Sequence, residues 1–193
     1  MRLFGSLWRW TMEAAHHRHA PWGLAAVSVA ESSFFPVPPD VMLIPMSIAR
    51  PHAAMRLATL TTVASVIGGI LGYGIGLWAF EAVRPWLETM GYGADIVRIM
   101  HWYDQHGVWL VLLAGFSPIP YKLFTILSGA MTLPFLPFVI ASLVGRGGRF
   151  FLVAALSGRY GPSMAPRIAA IAEYLGWGVV VVALCVYLFM HFA

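Results

Sequence analysis

Charge, lysine and cysteine are all scarce in this chain of 193 residues. Asp, Glu, Lys and Arg make up only 10% of it, Lys122 is the single lysine, and Cys185 is the single cysteine. A soluble domain carries about 25% charged and about 45–50% apolar residues. Here 60% are hydrophobic and the mean hydropathy is +0.76, which excludes an ordinary soluble domain and leaves an integral membrane protein. One cysteine excludes an internal disulfide framework. The net charge of +4 comes from arginines spread along the chain, without the clustered basic face that nucleic acid requires. No nucleophile and base pair or metal-ligand motif is present, so neither an embedded enzyme nor a cofactor is expected.

The N-terminus, "MRLFGSLWRWTMEAAHHRHA", sets Arg2, Arg9 and Arg18 among Phe4, Leu7, Trp8 and Trp10, without the apolar core and small-residue cleavage site of a signal peptide. Residues 1–20 are expected to form a helix on the cytoplasmic membrane surface. The "HHRH" within it reads as a solvated cationic turn, because no matching ligand cluster occurs elsewhere.

Five apolar stretches follow, but two carry prolines where a spanning helix should run. In "ESSFFPVPPD", Pro36, Pro38 and Pro39 remove three backbone donors within four residues and force a break. The remaining pieces, 21–34 and 40–50, would be about 21 Å and about 16 Å long, each too short for a hydrocarbon core of roughly 30 Å. They form either one interrupted crossing or a re-entrant hairpin. Arg50 and Arg56 return to the side of Arg2, Arg9 and Arg18 only in the hairpin, which the positive-inside rule favours. "GFSPIPYKLFTILSG", with Pro118 and Pro120, repeats the pattern inside 107–133.

The expected architecture is therefore all-α and polytopic, a single membrane domain over 1–193. Its parts are re-entrant hairpins at 21–50 and 107–133, full transmembrane helices at 57–80, 134–157 and 174–192, and interfacial helices at 1–20 and 94–106. The N-terminus is then cytoplasmic. The hairpin tips superimpose at one offset: Phe34, Pro36, Val37, Pro38 and Asp40 on Phe116, Pro118, Ile119, Pro120 and Lys122. Hairpins entering from opposite sides would make an inverted repeat with its broken tips near the midplane, as transporters build binding sites. Asp40 and Lys122 would then face each other.

Five ionisable residues, Glu31, Asp40, Lys122, Arg146 and Arg149, fall within apolar stretches. Each costs about 2.5–3.5 kcal/mol at mid-membrane, so they must be paired, hydrated or close to an interface. Either Glu31 and Asp40 cap or tie the hairpin and pair with Lys122, Arg146 or Arg149 to hold the bundle together, or the five line a wet cavity between the hairpins. Three cations against two carboxylates leave one surplus positive charge there, which suits an anionic headgroup. Arg146 and Arg149 share a helix face and could clamp a phosphate. A carboxylate in low dielectric could titrate near neutral pH and allow proton coupling. Gly68, Gly72 and Gly76 form a four-spaced stripe suited to a close helix contact. Membrane lipids are thus the expected partner, with protons as a second candidate and oligomerisation left open.

Three segments carry a family resemblance: "ESSFFPVPPD" with the following "VMLIP", "GGILGYGIG", and "YDQHGVWLVLLAGFSPIPYKLFTILSGA". In them the chain resembles the DedA family, also called the VTT or SNARE-associated domain family, over nearly its whole length, and looks closest to the YqaA-like branch. The resemblance implies a bacterial inner-membrane protein with two opposed re-entrant hairpins. It also implies movement of lipid between leaflets, whether undecaprenyl phosphate or phospholipid, as flippase or scramblase and with dependence on the proton-motive force. The family's first-hairpin acids carry over to Glu31 and Asp40, at a shorter spacing than in many members. Its second hairpin often reads R-F-x-P-x-x-R; here Gly115 and Tyr121 stand at the two arginine positions. Lys122, Arg146 and Arg149 are the candidate replacements, and Pro36, Pro38, Pro118, Pro120 and Tyr121 mark the hairpin tips. The alternatives are a structural or regulatory membrane protein and a transporter of small solutes or ions.

Overall fold

A computed structural model describes residues 19–33, 38–117 and 119–161, with 174, 178 and 181. The expected interfacial helix at 1–20, apart from its last two residues, and most of the expected span at 174–192 lie outside the described residues, as do Pro36 and Pro118. Among the described residues all regular structure is helical: α1 (Ala20–Ser33), α2 (Asp40–Ala49), α3 (Ala54–Thr89), α4 (Gly93–Phe116), α5 (Tyr121–Ala130) and α6 (Phe135–Tyr160). A 3-10 turn, Pro51–Ala53, joins α2 to α3.

The prolines break the helices where their chemistry requires. α1 stops at Ser33 and α2 starts at Asp40; α4 stops at Phe116 and α5 starts at Tyr121. At 14, 10 and 10 residues, α1, α2 and α5 are about 21, 15 and 15 Å long and too short to span alone. Among the described residues, two helical stretches are long and apolar enough to cross a membrane, Pro51–Thr89 and Phe135–Tyr160. Their outward faces carry Val63, Ile67, Leu71 and Ile75 on α3 and Leu136, Ile140 and Val144 on α6, all exposed at helical spacing as a lipid-facing surface would be.

Two expected boundaries are corrected. The span placed at 57–80 belongs to a helix of 36 residues that continues to Thr89. Its last turns, "FEAVRPWLET", hold the helix formers Glu81, Ala82, Leu87 and Glu88 and an Arg84–Glu88 pair at 2.7 Å, and the helix runs on through Pro85 well past the apolar window. The interfacial helix at 94–106 and the first limb of the second hairpin are one continuous helix, α4. Gly107, at the expected boundary, serves packing instead: a Cβ there would collide with the Tyr103 ring and with Leu133.

Two apolar clusters organise the interior. The first joins Ala20 and Leu24 of α1 and Leu43, Ile44, Met46 and Ile48 of α2 to Ala54, Leu57 and Ala58 at the start of α3 and to Phe150, Val153 and Ala154 near the end of α6. The second gathers Tyr103, Val111 and Ala114 of α4 with Tyr121 of α5 and Leu133, Phe138 and Ala141, with Ile70 and Tyr73 of α3 packed against it. Between them the glycine stripe of α3 permits close backbone approach: Gly68 lies against the Val29 carbonyl and Gly76 against Ile126, while Gly129 of α5 lies against Tyr73. Any Cβ at these three positions would strike backbone.

Candidate functional site

Glu31 sits in the last turn of α1, where a carboxylate meets the negative end of the helix dipole. A cation offsets this: Arg146 Nη2 donates to Glu31 Oε2 at 2.5 Å, with side-chain exposures of 5% and 14%. Arg146 lies in the middle of α6, and its other contacts are all made inside the protein. Its Nε donates to Ser65 Oγ at 2.6 Å, Ser65 and Ser32 hydroxyls lie 2.6 Å apart, and Ser32 Oγ donates to Glu31 Oε2 at 3.1 Å. With Ser65 donating to Ser32, the protons run from the guanidinium through two hydroxyls to the carboxylate, and the direct Arg146–Glu31 bond closes the ring, with the guanidinium donating and the carboxylate accepting in both arms. The guanidinium is flanked by the rings of Tyr121, 4.9 Å to the centroid, and Phe150, at 4.6 Å.

Tyr121 extends this network into the second broken segment. Fully buried, it donates to Ser142 Oγ at 2.5 Å, and Ser142 donates to the Phe138 carbonyl at 2.7 Å. One turn along α5, Thr125 donates to the Lys122 carbonyl at 2.8 Å and contacts the Ser32 carbonyl at 3.4 Å, tying α5 to the end of α1. Both proline-broken segments therefore contribute to the surroundings of one arginine.

Asp40 opens α2. Arg149 Nη2 donates to Asp40 Oδ2 at 2.6 Å, both side chains being 15% exposed. The second carboxylate oxygen, Oδ1, is buried without a partner. The nearby amides are already used: Val41 and Met42 donate to the Pro38 and Pro39 carbonyls at 3.3 and 3.0 Å. Among the described residues, Arg149 also donates from Nη1 to the Phe116 carbonyl, at 3.5 Å.

Four of the five expected site residues are thus brought together as two pairs on one stretch of α6. Two expectations change. Asp40 pairs with Arg149 and not with Lys122, because the inward face of α5 is taken by Tyr121, Thr125 and Ser128 and leaves Lys122 half-buried on its flank. No ion pair to Lys122 occurs among the described residues. Nor do Arg146 and Arg149 form one clamp, since each guanidinium turns to its own carboxylate. At the tips, Pro38 and Pro120 are exposed. Gly115, where the resemblance implied an arginine, packs against the backbone of Gly145 and Arg146, where a Cβ would make contacts of 3.2–3.3 Å and press the two helices slightly apart. Among the described residues no group of three His, Cys, Asp or Glu could hold a metal.

The VTT-domain family model matches residues 35–159, which include both proline breaks' second limbs and all of α6 but its last residue. The chain belongs to the VTT-domain (DedA) family. It is similar to uncharacterized proteins of Haemophilus influenzae, 46% identical over 97% of both chains, and of Histophilus somni, 44% identical over 97% of this chain and 98% of the relative. A more distant VTT-domain relative is 28% identical over 62% of this chain and 64% of its own length. It is undecaprenyl phosphate transporter A of Staphylococcus aureus. No solved structure matches the chain. Family membership and the two apolar helices make this a membrane protein, of a family that includes a transporter.

Proposed function

We propose that this VTT-domain protein moves an anionic lipid between the leaflets of the bacterial inner membrane, by a non-enzymatic mechanism. Undecaprenyl phosphate or an anionic phospholipid supplies the headgroup. In this reading both proline-broken segments are re-entrant hairpins entering from opposite sides as an inverted repeat. Supporting it, Leu24 and Ile48 share an apolar cluster with the start of α3, while Tyr103 of α4 meets Ser128 of α5 at 3.1 Å beside the second cluster.

The observation that carries the proposal is the pair of carboxylate–arginine contacts in the middle of an apolar helix, with Lys122 as a further cation on the second broken segment. Buried ion pairs gain little stability over apolar packing of the same volume. Their presence in a segment that must lie within a bilayer is better explained by a charged substrate than by holding helices together. The relative named as an undecaprenyl phosphate transporter agrees with a phosphate as the recognised group.

The test is purified protein reconstituted in liposomes with headgroup-labelled lipids. The expected result is exchange of anionic lipid between leaflets at least tenfold faster than in protein-free liposomes, with a pH gradient as a second arm to reveal proton coupling. No exchange in either arm would favour the structural or regulatory alternative.

A further inference from the structure

Among the described residues, three buried side-chain oxygens have no hydrogen-bond partner: Asp40 Oδ1, Ser47 Oγ and Ser157 Oγ. All three lie on α2 or α6. Elsewhere the buried hydroxyls are satisfied, most simply by donating to the carbonyl one turn back. Ser28 reaches Leu24, Thr61 reaches Leu57 and Ser142 reaches Phe138, each at 2.7 Å. Ser47 and Ser157 have the same option in their own helices and do not take it.

The two helices carrying these orphaned groups run side by side. Asp40 meets Arg149 at one end, and Pro51, just past α2, lies against Gly158 at the other, so α2 and α6 are parallel and Ser47 and Ser157 fall at about the same level. The orphaned oxygens therefore mark one seam, which leads from the looser ion pair toward the ends of α2 and α6 at Arg50 and Arg159. The opposite side, where α1 and α5 cross α3, is closed by backbone contacts at Gly68, Gly76 and Gly129 and by satisfied hydroxyls.

Polar groups buried without partners are rare because leaving them so is costly. Three along one helix contact point to a contact that is polar and wet in another state of the protein. The two arginines divide accordingly. Arg146 is held by a closed ring of bonds and two aromatic faces, whereas Arg149 keeps one close acceptor whose other oxygen is free. We propose that the α2–α6 seam is the route of the headgroup, and that a phosphate-bearing headgroup exchanges with Asp40 for the Arg149 guanidinium while Glu31–Arg146 stays fixed. This rests on the lipid-transport reading and names its entry side and its anion-binding residue.

Single cysteines at Ser47 or Ser157, and at Ser28 or Thr61 as controls on the closed side, are placed in a Cys185→Ser background and reconstituted in phosphatidylcholine vesicles. A small membrane-impermeant thiosulfonate should label Ser47→Cys and Ser157→Cys at least tenfold faster than Ser28→Cys and Thr61→Cys. Adding undecaprenyl phosphate to the vesicles should slow seam labelling severalfold, Arg149→Gln should abolish that protection, and Arg149→Lys should restore part of it. Inorganic phosphate in the buffer is the control for a free anion and should protect less than the lipid. Equal labelling at all four positions, or protection that persists in a folded Arg149→Gln protein, would overturn the inference. Lipid exchange measured in the same vesicles separates the two ideas. Exchange with an unlabelled seam removes the route alone; no exchange removes the transport reading and the route with it.

Discussion

Arg146 and Arg149 stand one helical turn apart on α6, and each holds a carboxylate from the first broken segment, yet their surroundings differ. Arg146 meets Glu31 inside a closed circuit with Ser32 and Ser65, between Tyr121 and Phe150. Among the described residues, Arg149 meets Asp40 with one carboxylate oxygen left unpartnered and reaches the Phe116 carbonyl at 3.5 Å. The difference follows from which helix each arginine faces. α1 and α5, which surround Arg146, are locked onto α3 by glycine contacts, while α2, facing Arg149, is a helix of 10 residues with Pro45 inside. A charge in a saturated site organises structure; a charge with unused bonding capacity can change partner.

Breaking the tighter pair should cost most. Arg146→Gln leaves Glu31 buried without its cation, and about 3–5 kcal/mol of stability should be lost, visible as a large drop in unfolding temperature in detergent. Arg149→Gln should cost less, about 1.5–3 kcal/mol for a hydrogen bond to a charged group, while abolishing lipid exchange in liposomes. If the order of the two stability losses is reversed, the comparison fails. On the closed side, Gly129→Ala drives a methyl group into the Tyr73 backbone and should cost about 1–3 kcal/mol, as overpacking does. Ser142→Ala removes the acceptor of the buried Tyr121 hydroxyl and should cost about 1–3 kcal/mol. Ser157→Ala on the seam removes a hydroxyl with no partner and should stay within about 0.5 kcal/mol of the parent. Lys122→Met should likewise leave the unfolding temperature almost unchanged, since no ion pair among the described residues is lost; full lipid exchange in this variant would remove Lys122 from the site.

Much of this arrangement was legible in local chemistry. Proline clusters cannot continue a helix, so the breaks at 33–40 and 116–121 were fixed by residues within them, and glycines spaced by four marked α3 as a contact helix. The five charges in apolar stretches announced a site, but not its pairing. Helical spacing placed Arg146 and Arg149 on a common side, whereas which carboxylate each one meets depends on how α1, α2 and α5 pack. That is why Asp40 was matched with Lys122 through the repeat and found with Arg149. The hydroxyl ring went unread, although Ser28 and Ser32 on α1 and Thr61 and Ser65 on α3 are four apart and repeat a polar position within apolar helices. The boundary between 94–106 and 107–133 does not appear in the fold, where Gly107 lies inside α4 and makes room for the Tyr103 ring.

The most direct measurement is a pair of double-mutant cycles, Glu31→Gln with Arg146→Gln and Asp40→Asn with Arg149→Gln, read by thermal unfolding with and without undecaprenyl phosphate in the lipid. The account predicts that the lipid sharply weakens the Asp40–Arg149 coupling and leaves the Glu31–Arg146 coupling unchanged. A Glu31–Arg146 coupling that falls on adding lipid, or an Asp40–Arg149 coupling that does not, would contradict it.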